Sequence, residues 1–350
     1  MTTFHHALRR RFVFRSLAAW LAAGSMATAA MPVALAQEGS AAAASRTPTG
    51  KVPAAVSVLS IVEHPSLDAL RDGLHDELKD AGYQDGKSLH WAYQSAQGNQ
   101  GTAVQIARKF VGDRPDVIVP IATPAAQAVV SATHQIPVVY NAITDPIAAQ
   151  IVKSMAPSGT NVTGVSDKLV ADRQVAFIKR VVPYVKRVGI IYSPAEANSV
   201  SATREMKVAL EKQGISLVEV AAPRSIDVGQ AAQRLVGKVD VIYTSNDNNV
   251  ISAYESVIKV ANAAKIPLIC ADRSSVQRGA TGAMAIDYYR MGRQTGRMVL
   301  RILNGEKPGD IASETSDRLD ITLNLDAARR QGATLSPELQ AEASEIFGKP

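Results

Sequence analysis

A single cysteine, Cys270, stands among 350 residues, so no disulfide can form within the chain. It closes the apolar run Pro267-Leu-Ile-Cys270, the setting of a buried, inert thiol. The histidines beyond the first 36 residues (His64, His75, His90 and His134) lack a metal spacing such as H-E-x-x-H. With one cysteine there is no Cys/His zinc set either, and no metal site is expected. Neither a G-x-S-x-G nucleophile elbow nor a G-x-G-x-x-G fingerprint occurs. Gly82-Tyr-Gln-Asp-Gly86-Lys87-Ser88 is one residue short of a P-loop and precedes a strand instead of following one, which excludes nucleotide binding there. No cofactor and no catalysis are expected. Aromatic residues are only 5% of the chain, which argues against a cleft that stacks sugars on rings.

The excess of positive charge and the longest apolar stretch lie at the start. Arg9, Arg10, Arg11 and Arg15 precede an acid-free apolar stretch over 17–35, and Ala34-Leu35-Ala36 before Gln37 is an A-x-A cleavage site. Residues 1–36 therefore read as a signal peptide, with a twin-arginine flavour, and the mature protein as exported, bacterial and periplasmic. The leader holds four of the 38 Lys and Arg and none of the 32 Asp and Glu, so the remainder is close to neutral. That removes the electrostatic case for nucleic-acid binding. Residues 37–52 are an Ala/Ser-rich flexible linker. No later apolar run approaches the length of a membrane span.

What is present is a repeat. Residues 86–139 contain Gly-Lys-Ser-Leu, Gln105-Ile-Ala-Arg-Lys-Phe-Val-Gly112, Asp116-Val-Ile and Ile136-Pro-Val-Val139. Residues 214–269 contain Gly-Ile-Ser-Leu, Gln230-Ala-Ala-Gln-Arg-Leu-Val-Gly237, Asp240-Val-Ile and Ile266-Pro-Leu-Ile269 in the same order. A period above 100 residues means two related domains, not a solenoid. Apolar strand-like runs at 56–62, 89–93, 117–121 and 138–142, then 188–192, 217–220, 239–243 and 267–270, alternate with helical periods such as Leu67, Leu70, Leu74 and Leu78. The expected fold class is α/β: two similar doubly wound parallel-sheet lobes with a cleft between them. A further strand over 281–286, a helix carrying Met291, Thr295, Met298 and Ile302, and a last strand over 319–325 would complete the sheets. Crossings near 164–168, 272–275 and 305–310 would give one lobe of 53–165 plus 273–307 and a second of 166–272 plus 308–340.

Ligands of open parallel sheets bind outside the carboxyl ends of the strands, where helix N-termini converge. Those positions hold Glu63-His64, Thr123-Pro124 and Thr144-Asp145-Pro146 in the first half, and Glu196-Ala197-Asn198, Ser245-Asn246-Asp247 and Asp272-Arg273 in the second. Thr123-Pro124 and Asp145-Pro146 read as helix starts with a capping side chain followed by proline. A Thr123 hydroxyl beside free N–H groups suits a carboxylate, and Asp247 or Asp272 an ammonium. Together they describe a zwitterion, a free amino acid. Asn198, Glu63 and His64 would orient or cover it, Thr144 and Glu196 complete the candidate site, and Tyr192 and Tyr243 could stack on an aromatic side chain. Asp145 serves equally well as a cap or a ligand residue.

At these positions the chain resembles the periplasmic solute-binding proteins of ABC transporters, in the group for tryptophan and other aromatic amino acids. The resemblance spans about residues 54–335. It rests on Ile61-Val-Glu-His-Pro-Ser-Leu-Asp68, Ile121-Ala-Thr-Pro-Ala-Ala-Gln-Ala128, Ile143-Thr-Asp-Pro146, Asn161-Val-Thr-Gly-Val-Ser166, Glu196-Ala-Asn-Ser199, Asp247-Asn248, Gly279-Ala280 and Asp287-Tyr-Tyr289. It departs from the pattern at Ser245-Asn246, where a Pro-Thr-like pair is usual, and at Arg273, where a smaller residue is common. The resemblance implies the type I periplasmic-binding fold, closure of two lobes on a small ligand, and delivery to an ABC-transporter permease in the inner membrane. A monomer is expected. The alternatives are a ligand-sensing input protein for a membrane receptor and a sugar-binding protein of the same fold.

Overall fold

The computed structural model describes residues 48–316 and 318–349. The expected signal peptide and most of the expected linker lie outside the described residues. The linker's last residues are held: Lys51 N–H donates to Leu303 O at 3.0 Å, and the Lys51 ammonium pairs with Asp116.

The chain begins as strand–helix alternation: β1 (Ala54–Ser60), α1 (Pro65–Asp80), β2 (Leu89–Ser95), α2 (Gln100–Asp113), β3 (Val117–Ile121), α3 (Thr123–Ala132), β4 (Val138–Asn141) and β5 (Val162–Ser166). It then repeats the theme: α4 (Ala171–Val181), β6 (Arg187–Tyr192), α5 (Ala197–Glu211), β7 (Ser216–Ala221), α6 (Val228–Gln233), β8 (Val241–Thr244), α7 (Asn248–Ser252), α8 (Tyr254–Ala264), β9 (Leu268–Asp272), α9 (Arg273–Arg278) and β10 (Gly282–Ile286). Next come α10 (Tyr288–Leu303) and β11 (Glu314–Thr315), then β12 (Leu319–Asn324), α11 (Leu325–Arg330), α12 (Pro337–Glu342) and β13 (Glu345–Phe347).

Two sheets result, ordered β11-β5-β4-β3-β1-β2 and β13-β12-β10-β9-β8-β6-β7. All pairings are parallel except β10 with β12. The apolar runs of β3, β4 and β9 are fully buried, as helix-covered parallel sheets require, while the edge strands β2 and β7 are partly exposed. Pro120 lies inside the central strand β3, where it cannot donate. The β3–β4 ladder passes over it, pairing Ile118 with Val138 and Ile121 with Asn141.

The chain moves from one sheet to the other after β5, again between β10 and α10, and finally between β11 and β12. Two of these points differ from the sequence expectation. Residues 273–286 stay with the second sheet, because α9 is a crossover that returns β10 alongside β9. Residues 308–315 stay with the first, because β11 adds to the edge strand β5. The second lobe also extends past residue 340, since β13 pairs with β12.

Helix α10 returns to the first lobe by packing closely on α1. A Cβ on Gly292 would stand 2.0 Å from Leu70 O, and one on Gly73 2.1 Å from Tyr289 O. Arg293 joins the pair through Glu77 and Asp80, each at 2.6 Å. Gly292→Ala must push the helices apart. It should cost about 2 kcal/mol in urea denaturation, and a loss too small to measure would show that this contact does not hold α10 in place.

Candidate functional site

The carboxyl ends of the two sheets face each other across a narrow cavity of about 270 Å³ with its open mouth included. His64, Leu67, Ala122, Thr123, Ala142 and Thr144 line it from the first lobe; Asn198, Asn246, Asn248 and Ile251 line it from the second. Asp167 and Tyr288 line it where the chain crosses between lobes.

Four polar atoms here are buried without a partner: His64 Nε2, Thr123 Oγ1, Asn198 Oδ1 and Asn246 Oδ1. Orphans of this kind are rare in native interiors, and four converge on one space. Their polarity follows from their other bonds. His64 Nδ1 accepts the Leu67 N–H at 3.4 Å, capping α1, and burial pulls its pKa down to about 4 despite Asp272 nearby. The ring is therefore neutral at pH 7 with Nε2–H as a donor, a tautomer assigned from the cap. Asn198 Nδ2 donates to Glu196 Oε2 at 3.1 Å and Asn246 O at 2.9 Å, and Asn246 Nδ2 donates to Asp167 Oδ2 at 2.9 Å. Both amides thus present their oxygen to the cavity.

Thr123 stands at the head of α3, where no side chain caps the helix, so first-turn N–H groups remain open. It is the first helical residue and not the expected cap, which is Ala122. Ala122 is held at φ 72° and Ala142 at φ 56°. Non-glycine residues adopt such conformations at a cost of about 1–3 kcal/mol, and they cluster at ligand clamps.

Asp167 is the group the sequence reading missed. It is buried and accepts from Tyr288 Oη at 2.7 Å, Asn246 Nδ2 at 2.9 Å and Thr144 Oγ1 at 3.0 Å. No Lys or Arg among the described residues pairs with it; its neighbour Lys168 turns to Asp145 and Glu205. Burial raises its pKa in spite of the three donors.

The other expected acids go elsewhere. Asp247 caps α7 and accepts from Ser193 N and Oγ, Ser199 Oγ and Val250 N at 2.6–2.9 Å, all in its own lobe, leaving no room for an ammonium. Asp272 caps α9 and accepts from Ser275 N at 2.9 Å, Ser274 Oγ at 2.6 Å and, across the lobes, Ser66 Oγ at 2.8 Å. Glu63 turns outward to Gln97 Nε2 at 2.9 Å and Tyr93 Oη at 3.3 Å. Asp145 starts a turn, not a helix, accepting from Ala148 N at 2.9 Å. It also joins the lobes through Lys168 Nζ at 3.2 Å and Ser201 Oγ at 3.3 Å. Glu196 stays behind the cavity wall and accepts from Asn248 Nδ2 at 2.7 Å and Asn198 Nδ2 at 3.1 Å, orienting both amides. Tyr192 does not line this cavity, whereas Tyr243 lines a neighbouring one.

The sequence profile of ABC transporter substrate binding proteins matches residues 55–347. The chain belongs to that family. It is accordingly a substrate-binding protein and not an enzyme, with the type I periplasmic-binding fold. A tyrosine-binding protein of Clostridioides difficile (strain R20291) is 39% identical over 274 residues, 78% of this chain and 79% of the relative. A crystal structure of an ABC domain in complex with L-Trp from Streptococcus pneumonia superposes with a TM-score of 0.81 at 34% identity, covering 84% of this chain and 99% of that one. The ligand-free, open structure of a substrate-binding protein with adhesive properties from Clostridium difficile gives 0.65 at 37% identity, covering 85% and 100%. At comparable identity, the chain as a whole superposes more closely on the ligand-bound relative than on the open one.

Proposed function

We propose that this protein is exported to the periplasm, captures an aromatic amino acid between its lobes and delivers it unchanged to an ABC permease in the inner membrane. The observation that carries the reading is the polarity of the cavity. Donors gather on the first lobe, at Thr123 Oγ1, His64 Nε2 and the open start of α3. Acceptors gather opposite, at Asn198 Oδ1 and Asn246 Oδ1, and beside them at the crossing stands the Asp167 carboxylate, with which no Lys or Arg among the described residues pairs. A carboxylate on the first wall and an ammonium on the second satisfy these groups together. The ammonium role moves from Asp247 or Asp272 to Asp167.

The tyrosine-binding relative and the L-Trp complex support an aromatic ligand. Lobe closure follows from the ligand touching both walls: it favours the closed state by its differential affinity for it. Lys168, Asp145, Ser201 and Glu205 form a clasp across the cleft beside the cavity.

A thermal-shift screen of the purified protein against the twenty amino acids and common sugars tests the ligand class. Tyrosine or tryptophan should raise the melting temperature, since a ligand of the native state stabilises it. Thr123→Ala removes a hydrogen bond to a charged group and should weaken that ligand about tenfold. A screen in which no amino acid shifts the melting point would end this reading. Delivery is read separately, as loss of labelled amino-acid uptake in cells lacking the protein.

A further inference from the structure

A second space, about 390 Å³ with its mouth included, adjoins the cavity and shares Thr144 and Asn246 with it. Its walls are mainly apolar: Leu169, Ala171, Ala202, Met206, Tyr243 and Ala271. One polar atom among them is unexplained. Ser245 is buried, lines this space, and its Oγ has no partner. Its neighbours in the wall are accounted for: Gln174 donates to Met284 O at 2.9 Å and accepts from Tyr243 Oη at 3.5 Å. Glu205 is held in the Lys168 clasp at 2.7 Å.

We propose that this chamber receives the side chain of the bound amino acid and that Ser245 Oγ hydrogen-bonds its polar tip, selecting a phenol or indole over a plain phenyl ring. The inference rests on the amino-acid reading above and adds the part of the site that chooses among aromatic ligands. The two spaces are continuous, and the second holds a hydroxyl that no group among the described residues bonds. The charged groups of the first cavity fix the ligand's backbone end, and the shared residues Thr144 and Asn246 mark the passage from it. Beyond them lies a compartment whose walls suit an aromatic ring, with the Tyr243 ring as one face. A buried hydroxyl left unpaired is costly, and a ligand hydroxyl or N–H that reaches it removes that cost. Phenylalanine would leave it unpaired, which is how sites built to bond a ligand hydroxyl reject the analogue without one.

Isothermal titration of the whole protein with L-tyrosine, L-tryptophan and L-phenylalanine tests this. The wild type should bind tyrosine or tryptophan about tenfold or more tighter than phenylalanine. Ser245→Ala should narrow that advantage to within about threefold. Ala202→Phe, a half-buried position on α5, should fill the chamber and weaken all three at least about tenfold. A wild-type preference that survives Ser245→Ala, or aromatic binding that survives Ala202→Phe, would overturn the proposal. If the wild type bound other amino acids but none of these three, the aromatic reading itself would fall, and the chamber's role with it.

Discussion

Asp167→Asn should all but abolish ligand capture, weakening it at least about a hundredfold, while the unliganded protein stays as stable as the wild type or becomes more so. The two halves of this expectation have one cause. The Asp167 carboxylate is buried with three neutral donors and no cation, and its raised pKa shows that the charge is unfavourable in the empty cavity. An arriving ammonium supplies the missing cation. Truncating one partner of a buried, hydrogen-bonded charge pair costs about 2–5 kcal/mol of binding, which is where the hundredfold figure lies. Asparagine keeps the size and an acceptor oxygen but not the charge, so the empty cavity loses a liability. Asp247→Asn provides the contrast. The four donors on Asp247 come from its own lobe, so that change should lower the melting temperature first. Calorimetric binding within a few fold of wild type for Asp167→Asn would remove Asp167 from the site.

That contrast also explains how far the site can be read from sequence. Strand–helix alternation identified the carboxyl ends of β1, β3, β4, β6, β8 and β9, and His64, Thr123, Thr144 and Asn198 do line the cavity. Within each turn the reading fails at single-residue precision. Asp272 caps α9 while reaching Ser66 across the lobes, and His64 caps α1 from the cavity wall, but Asp247, capping α7, turns its side chain back onto its own lobe. Its neighbours Asn246 and Asn248 then face the gap. Acidic type alone drew attention to the caps, and nothing in a linear string separates a cap from a ligand residue one position away.

Asp167 was hidden for a different reason. It follows β5, whose sequence Val-Thr-Gly-Val-Ser is neither strongly apolar nor alternating. Gly164 marks close approach rather than a turn: a Cβ there would meet Tyr140 O at 2.2 Å. Without that strand there was no strand end to inspect. Tyr288 was obscured in a similar way, because the chain was expected to have changed lobes before β10, whereas it does so immediately after it.

The second large effect is on pH dependence, where two residues of opposite sign stand on either side of the cavity. Glu196 is raised from 4.5 to about 7, first by burial and then by the nearby charge of Asp247. Because its folded pKa exceeds the unfolded one, the folded state binds more protons between about pH 4.5 and 7, and stability falls as pH rises through that window. Replacing it with neutral glutamine, which can still accept from Asn248, removes the liability. Glu196→Gln should therefore match the wild type near pH 4.5 and exceed it by about 3 kcal/mol at pH 8. His64 works the other way. Lowered to about 4, it makes the folded state bind fewer protons, so stability is lost as pH falls from about 6.5 to 4. His64→Asn retains an N-cap acceptor for α1 and should gain on the wild type only in that acid range, by a similar amount. Urea denaturation of both variants and the wild type at pH 4.5, 6 and 8 separates the two windows. Gains that did not change with pH would mean that neither group titrates where its burial places it. A gain for Glu196→Gln that was larger in acid would reverse the sign of the argument and make the carboxylate a net stabilising charge.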